Sequence, residues 1–280
     1  MSEMGAKDRR SDLLAEVAAG DRVPYLGAGV AALPGGGQPA SPAALCAAIE
    51  AQVRAPKRAA GNLWSVAQFV ESRRFRRTLE TIVQEAFAAP PDPAPLHRWI
   101  ARHRPPLVVD AWYDSLLIEA ARDEAGADWG WVQGVSRNGE WSEIWTRAYD
   151  ASGQLIGEQP DPAWTMLLYK PHGLIRTDHS FLISDSDYVE VLTEIDIQSP
   201  IPQEVQARRT GRPFLFLGCR FDDQMLRLFA RQIAKRSSPG HAAVIEGELT
   251  RMELRFLEEL GIERLDLPLS AVNGAIGAPV

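Results

Sequence analysis

Apolar runs that stop at glycine or aspartate, helical segments between them, and a tryptophan-rich interruption predict an α/β fold. The expected architecture is a Rossmann-like parallel sheet with helices on both faces and a small inserted subdomain. A strand buried on both faces of a parallel sheet reads as a continuous apolar run rather than an alternating one. Phe214-Leu215-Phe216-Leu217 is the clearest such run, and Val23-Pro24-Tyr25-Leu26 and Leu107-Val108-Val109 are others. The expected domain limits are 11–127 and 166–280 for the main domain and 128–165 for the insertion.

Composition narrows the class. With 45% hydrophobic and 24% charged residues, the 280-residue chain has the make-up of an ordinary globular protein able to bury a large core. A formal net charge of -7 gives no support to nucleic-acid binding. No stretch is long and apolar enough to span a bilayer, so no membrane association is expected and a cytoplasmic location is the default. Cys46 and Cys219 are far apart and read as buried thiols, and two cysteines cannot form a four-thiolate zinc site. No metal site is expected.

In chain order, residues 1–10 read as a frayed arm, and Ser11 to Gly20 as a short helix with a polar start and a glycine stop. Strand 23–26 runs into Gly27-Ala28-Gly29, where the lack of bulky side chains would let backbone N–H groups approach a pyrophosphate. A plain tight turn explains the same residues. The loop to Pro42 is long, which in a compact domain points to function or disorder. Ser41-Pro42 then opens a helix. Asn62 to Phe87 reads as helical, with Arg73-Arg74-Phe75-Arg76-Arg77 in the middle as either a phosphate contact or, with more weight, a solvated face.

After a proline-rich break at 90–95, a helix from Leu96 to His103 precedes a second strand at 105–114 that ends in polar and aromatic residues. Residues at the carboxyl end of such a strand line the ligand crevice in α/β folds, which makes Asp110, Trp112 and Asp114 candidates by position. Asp114 reads equally well as an N-cap for the helix at 115–121. Residues 128–165 hold Trp129, Trp131, Trp141, Trp145 and Trp164 among strand and turn signals, so a small antiparallel module is expected, its tryptophans forming a core, a ligand wall or a partner surface. The strand from Met166 ends on His172-Gly173, where a histidine is placed either as a general base or as a turn residue. Strand 212–219, the helix from Phe221, strand 242–245, the helix at 249–260 and a last strand at 261–267 complete the alternation.

In this order, the motifs resemble those of the Sir2-like family of NAD-binding proteins, closer to its bacterial NAD-hydrolysing branch than to the protein deacetylases. The resemblance rests on Gly27-Ala28-Gly29-Val30-Ala31, Ala111-Trp112-Tyr113-Asp114 with Leu116, Leu117 and Glu119, and His172-Gly173. It continues through Ser184, Asp187 and Tyr188, Phe216-Leu217-Gly218 with Asp222 or Asp223 and Leu226, and Leu260-Gly261-Ile262. The deacetylases' zinc module has no counterpart.

The resemblance implies NAD as substrate or bound ligand, with Gly27, Ala28, Gly29, Val30, Trp112, Gly218 and Cys219 as cofactor-binding positions and His172 and Asp114 as catalytic ones. A homo-oligomer is also expected, and the aromatic density at 128–165 offers a surface for a protein partner. One departure bears on chemistry. Where the family has the asparagine of its Thr-Asn-Tyr-Asp motif, this chain has Trp112, whose indole offers one donor and no acceptor. Three readings therefore stand: NAD hydrolysis, nucleotide binding without chemistry, and a vestigial pocket with an interaction surface.

Overall fold

The computed structural model describes residues 3–33, 37–137, 144–175, 180–194 and 200–277. Its centre is one nine-stranded sheet in the order β5-β4-β3-β6-β2-β1-β7-β8-β9. The strands are β1 (Val23–Leu26), β2 (Leu107–Asp110), β3 (Trp129–Gly134), β4 (Thr146–Asp150), β5 (Leu155–Gly157), β6 (Met166–Lys170), β7 (Phe214–Leu217), β8 (Ala242–Val244) and β9 (Glu263–Leu265). From β3 to β9 every neighbouring pair is parallel, while β4 and β5 add an antiparallel edge.

Each central strand feeds two cores, because successive side chains leave opposite faces. Val23, Tyr25, Val109, Phe214 and Phe216 enter one apolar cluster, whereas Leu26, Val108, Leu215 and Leu217 enter the other. The first cluster is closed by α2 (Pro42–Gln52), α3 (Leu63–Arg74), α4 (Arg76–Ala86), α7 (Asp185–Glu194), α8 (Gln203–Arg209), α9 (Gln224–Ala234) and α10 (Arg251–Glu259). The second is closed by α1 (Glu3–Ala19), α5 (Pro95–His103), α6 (Leu116–Glu124) and α11 (Leu269–Gly277). The expected parallel sheet with helices on both faces is present. Among the described residues, no helix is long and apolar enough to cross a membrane.

Three local expectations are corrected. The first helix begins at Glu3 rather than at Ser11, and its early turns are tethered to the far end of the chain. Arg9 donates to Glu263 at 2.9 Å and Arg10 to the Ala271 carbonyl at 3.1 Å. The helical stretch 62–87 is two helices, broken at Phe75 with φ 69 and ψ 152. Residues 128–165 are no module apart: β3 lies parallel against β6 inside the main sheet, and only β4 and β5 follow the antiparallel expectation.

The physical reason lies in the tryptophans. Trp129 and Trp131 are fully buried in the second core, and the Trp131 ring stacks on Tyr149 at 5.0 Å. Gly130 leaves room for Trp164, whose ring atoms lie 2.3 Å from where a Cβ would sit. Trp145 is partly buried beneath the Arg137 guanidinium, 4.2 Å from its ring centre. Trp141 lies outside the described residues, as do Gly35 and Gly36 of the long loop and His179.

Candidate functional site

Strand order dictates where a crevice opens. From β1 the chain moves to β2 on one side, and it later returns to place β7 on the other, so β1 and β7 flank the point where winding reverses. Helices leave such neighbouring strands toward opposite faces, and a gap remains at the strands' carboxyl ends. A cavity of about 260 Å³ lies there, just below the usual range of about 300–1,000 Å³ for ligand pockets. Gly27, Ala28 and Gly29 line it after β1, Ala111 and Trp112 after β2, and Gly218, Cys219 and Arg220 after β7. The sequence-predicted cofactor positions are thus brought together, apart from Val30, which is buried beneath the turn.

The glycines have a definite structural task. The Gly27 amide donates to the Leu217 carbonyl at 2.9 Å, and the Gly29 amide to the Gly218 carbonyl at 2.9 Å. A Cβ on Gly27 would lie 2.6 Å from the Gly218 oxygen. Gly218 itself has φ +65, and a Cβ there would lie 2.5 Å from the Val30 nitrogen. Val30 N–H in turn donates to the Gly27 carbonyl at 3.1 Å. These glycines let the β1 and β7 loops interlock, and the amides of Gly27, Gly29 and Val30 are spent inside that contact.

Other donors face the cavity. Helices α2, α3 and α9 all begin at its wall, with Ser41, Asn62 and Asp223 as their caps. Ser41 Oγ accepts from Ala44 N–H at 3.0 Å, Asn62 Oδ1 from Ser65 N–H at 2.9 Å, and Asp223 Oδ1 from Met225 N–H at 2.7 Å. Converging helix N-termini make a positive potential suited to an anion. The sequence marks helix starts at Ser41 and Asn62, whereas their meeting with Asp223 at one cavity comes from the fold.

Trp112 occupies the β2 side of the crevice. It is 2% exposed, its indole N–H donates to the Pro39 carbonyl at 2.7 Å, and its ring lies 4.9 Å from that of Tyr113. Its only polar atom is therefore committed to holding the long loop. Asp110, just before it, accepts from Lys170 Nζ at 2.7 Å in a buried pair and also from the Trp112 backbone N–H. Burial outweighs the Lys170 ammonium and leaves the Asp110 carboxyl above its ordinary pKa.

The two predicted catalytic groups do not line the cavity. Asp114 Oδ1 accepts from Leu116 N–H at 2.9 Å and so caps the start of α6. His172 is 2% exposed within a shell of Tyr113, Tyr188 and Phe229. Its Nδ1 meets the Tyr188 hydroxyl at 3.0 Å, and its Nε2 has no partner among the described residues. Removal from water, with repulsion from Lys170, pushes its pKa down to about 3. Trp64, which lines the cavity, packs edge-on against Tyr188, so the histidine stands one aromatic layer behind the wall. Cys219 lines the cavity as a buried thiol, and burial raises its pKa well above the ordinary range. Among the described residues, no three His, Cys, Asp or Glu side chains gather as a metal site.

A family model described as "SIR2-like domain" matches residues 106–265, more than half of the chain. The matched span holds Trp112, Asp114, His172, Gly218 and Cys219, while Gly27 to Val30 precede it. A comparison with curated proteins returns no match. With a parallel sheet, a crevice at its winding reversal and a family match across most of the strands, this chain belongs to the SIR2-like family.

Proposed function

We propose that this protein binds the adenine-nucleotide part of NAD in the β1/β7 crevice and holds the dinucleotide without cleaving it. The observation that carries this reading is the cavity itself, set at the winding reversal and ringed by the starts of α2, α3 and α9. Membership of the SIR2-like family supports a nucleotide as the ligand. Gly27, Ala28 and Gly29 on one wall and Gly218 and Cys219 on the other would flank it.

The residues fit the nucleotide better than they fit hydrolysis. Cleaving the nicotinamide–ribose bond needs the ribose held and a nucleophile activated beside it. Trp112 brings no acceptor, and its one donor is taken by Pro39. A general base must come within hydrogen-bond reach of the proton it removes. His172 is walled off by Trp64 and Tyr188, and its low pKa makes it a weak base. An aromatic partner surface at 128–165 has less support, because Trp129, Trp131 and Trp164 are buried.

Equilibrium dialysis of the purified protein against NAD, with nicotinamide and intact dinucleotide both quantified, tests the reading. Retention of intact NAD with nicotinamide at the background level is expected. Ala43, exposed at the cavity wall, provides the control: A43W should abolish retention while leaving the thermal midpoint in place. Nicotinamide release that disappears in H172A would replace this reading with a hydrolase, and no retention at all would remove the nucleotide.

A further inference from the structure

We propose that Arg220 holds the phosphate of the ligand and makes the crevice selective for phosphorylated over unphosphorylated nucleosides. This rests on the nucleotide reading above and locates its anionic contact. In the glycine turn, the Gly27, Gly29 and Val30 amides already donate to carbonyl oxygens within the interlocked loops. A phosphate cannot use the Gly27 and Gly29 donors without opening the β1–β7 contact, and the Val30 donor is tied to the Gly27 carbonyl inside the turn, which leaves Ala28 N–H as the turn's contribution beside Arg220. Arg220 is the one basic side chain among the described residues that line the cavity.

Its guanidinium is built into place. Nε donates to Glu253 Oε1 at 2.8 Å, and Nη2 donates to Glu253 Oε2 at 3.0 Å and to the Glu248 carbonyl at 3.1 Å. Glu253 is fully buried and stands in the first turn of α10, where it also accepts from Phe221 N–H at 3.3 Å and Thr250 N–H at 2.8 Å. Two backbone amides and the positive end of a helix thus share that carboxylate's charge, so Arg220 is oriented without being fully neutralised. Its Nη1 carries no hydrogen bond among the described residues and is the edge left for a ligand. A guanidinium fixed in advance loses little freedom on meeting a phosphate.

Two acids also line the cavity, and Asp222 attracts the Arg220 guanidinium electrostatically, but neither accepts a hydrogen bond from it. Asp223 is committed to the α9 cap through Met225 and Leu226 N–H. Asp222 is exposed, and its Oδ1 accepts from Asp223 N–H. With both acids turned to backbone donors, the phosphate site lies on the β7 side of the cavity.

Isothermal titration with ADP-ribose and with adenosine, on the wild type and on R220Q and R220K, tests the assignment. The wild type should bind ADP-ribose on the order of tenfold more tightly than adenosine, as a charge-assisted hydrogen bond provides. R220Q should bring ADP-ribose down to the adenosine level and leave adenosine unchanged, and R220K should recover part of the difference. If R220Q does not fold, salt titration of the wild type decides, since added salt should weaken ADP-ribose and spare adenosine. Equal binding of the two ligands, an unchanged preference in R220Q, or salt-independent binding of ADP-ribose would overturn the role of Arg220 alone. Failure to bind either ligand would overturn the nucleotide reading together with it.

Discussion

Single residues here work through contacts that reach far along the chain. Gly218 combines a left-handed backbone with an approach to Val30 that leaves no space for a methyl group. Gly218→Ala should destabilise the fold by about 2 kcal/mol or more, read as a lower urea midpoint, and should abolish NAD retention as the β1 and β7 loops separate. Phe75 presents the opposite case, with φ 69 and ψ 152 in a region that suits glycine, yet 82% of its surface exposed. Little packing is lost on its removal, so Phe75→Gly should stabilise the protein by about 1 kcal/mol, measurable by chemical denaturation. His172 and His97 are both buried, with pKa values pushed down to about 3 and about 4. The unfolded chain takes up protons at an ordinary histidine pKa, near 6.5, so stability is full above that pH and falls as pH drops toward the folded values. The slope should reach up to about 1.4 kcal/mol per pH unit for each histidine, opposed in part by Asp110, whose raised pKa acts in the other direction. Urea unfolding from pH 7 to pH 4 should show the decline, and H172N should flatten it.

At the level of elements, the sheet is held beside its crevice by one buried charge pair. Lys170 at the end of β6 reaches Asp110 at the end of β2, and Asp110 also fixes the backbone at Trp112. Lys170→Met leaves a buried carboxylate without its counter-charge and should cost about 3–5 kcal/mol, measured by urea unfolding. The double variant Asp110→Asn with Lys170→Met should recover most of that loss, because an amide oxygen still accepts from Trp112 N–H. Arg76 at the start of α4 donates to Glu71 of α3 at 3.3 Å and to Asp187 of α7 at 2.7 Å, where the Asp187 carboxylate also accepts from Ser136 at 2.5 Å. Hence only part of the Arg73 to Arg77 run is a solvated face: Arg73, Arg74 and Arg77 are exposed, while Arg76 is a partly buried anchor.

For the molecule as a whole, the arrangement separates the crevice from the chemistry expected beside it. One wall is interlocked glycine loops, another is Trp112, and the histidine lies behind Trp64 and Tyr188. Substituting Trp112 by asparagine places an amide at that position but leaves His172 where it is. W112N should therefore show no nicotinamide release in an NAD incubation, and release would show that the tryptophan alone suppresses cleavage.

Local apolar patterning is enough to set the class of fold and to mark β1, β2, β6 and β7 as its strands. Continuous apolar runs such as Phe214 to Leu217 encode burial on two faces locally, within a few residues. It also carried the resemblance to SIR2-like motifs, with Trp112 at a position where an asparagine is expected. What those residues meet is set by contacts between distant segments. The Trp112 donor is spent on Pro39, the Gly218 turn locks against Val30, and Arg220 is oriented by Glu253, each contact joining segments remote in sequence. The same holds for 128–165, where tryptophans and turn residues suggest a separate module but β3 finds its partner in β6. Periodicity reports how deeply a side chain is buried, whereas the neighbour it is buried against is chosen by the path of the chain between them.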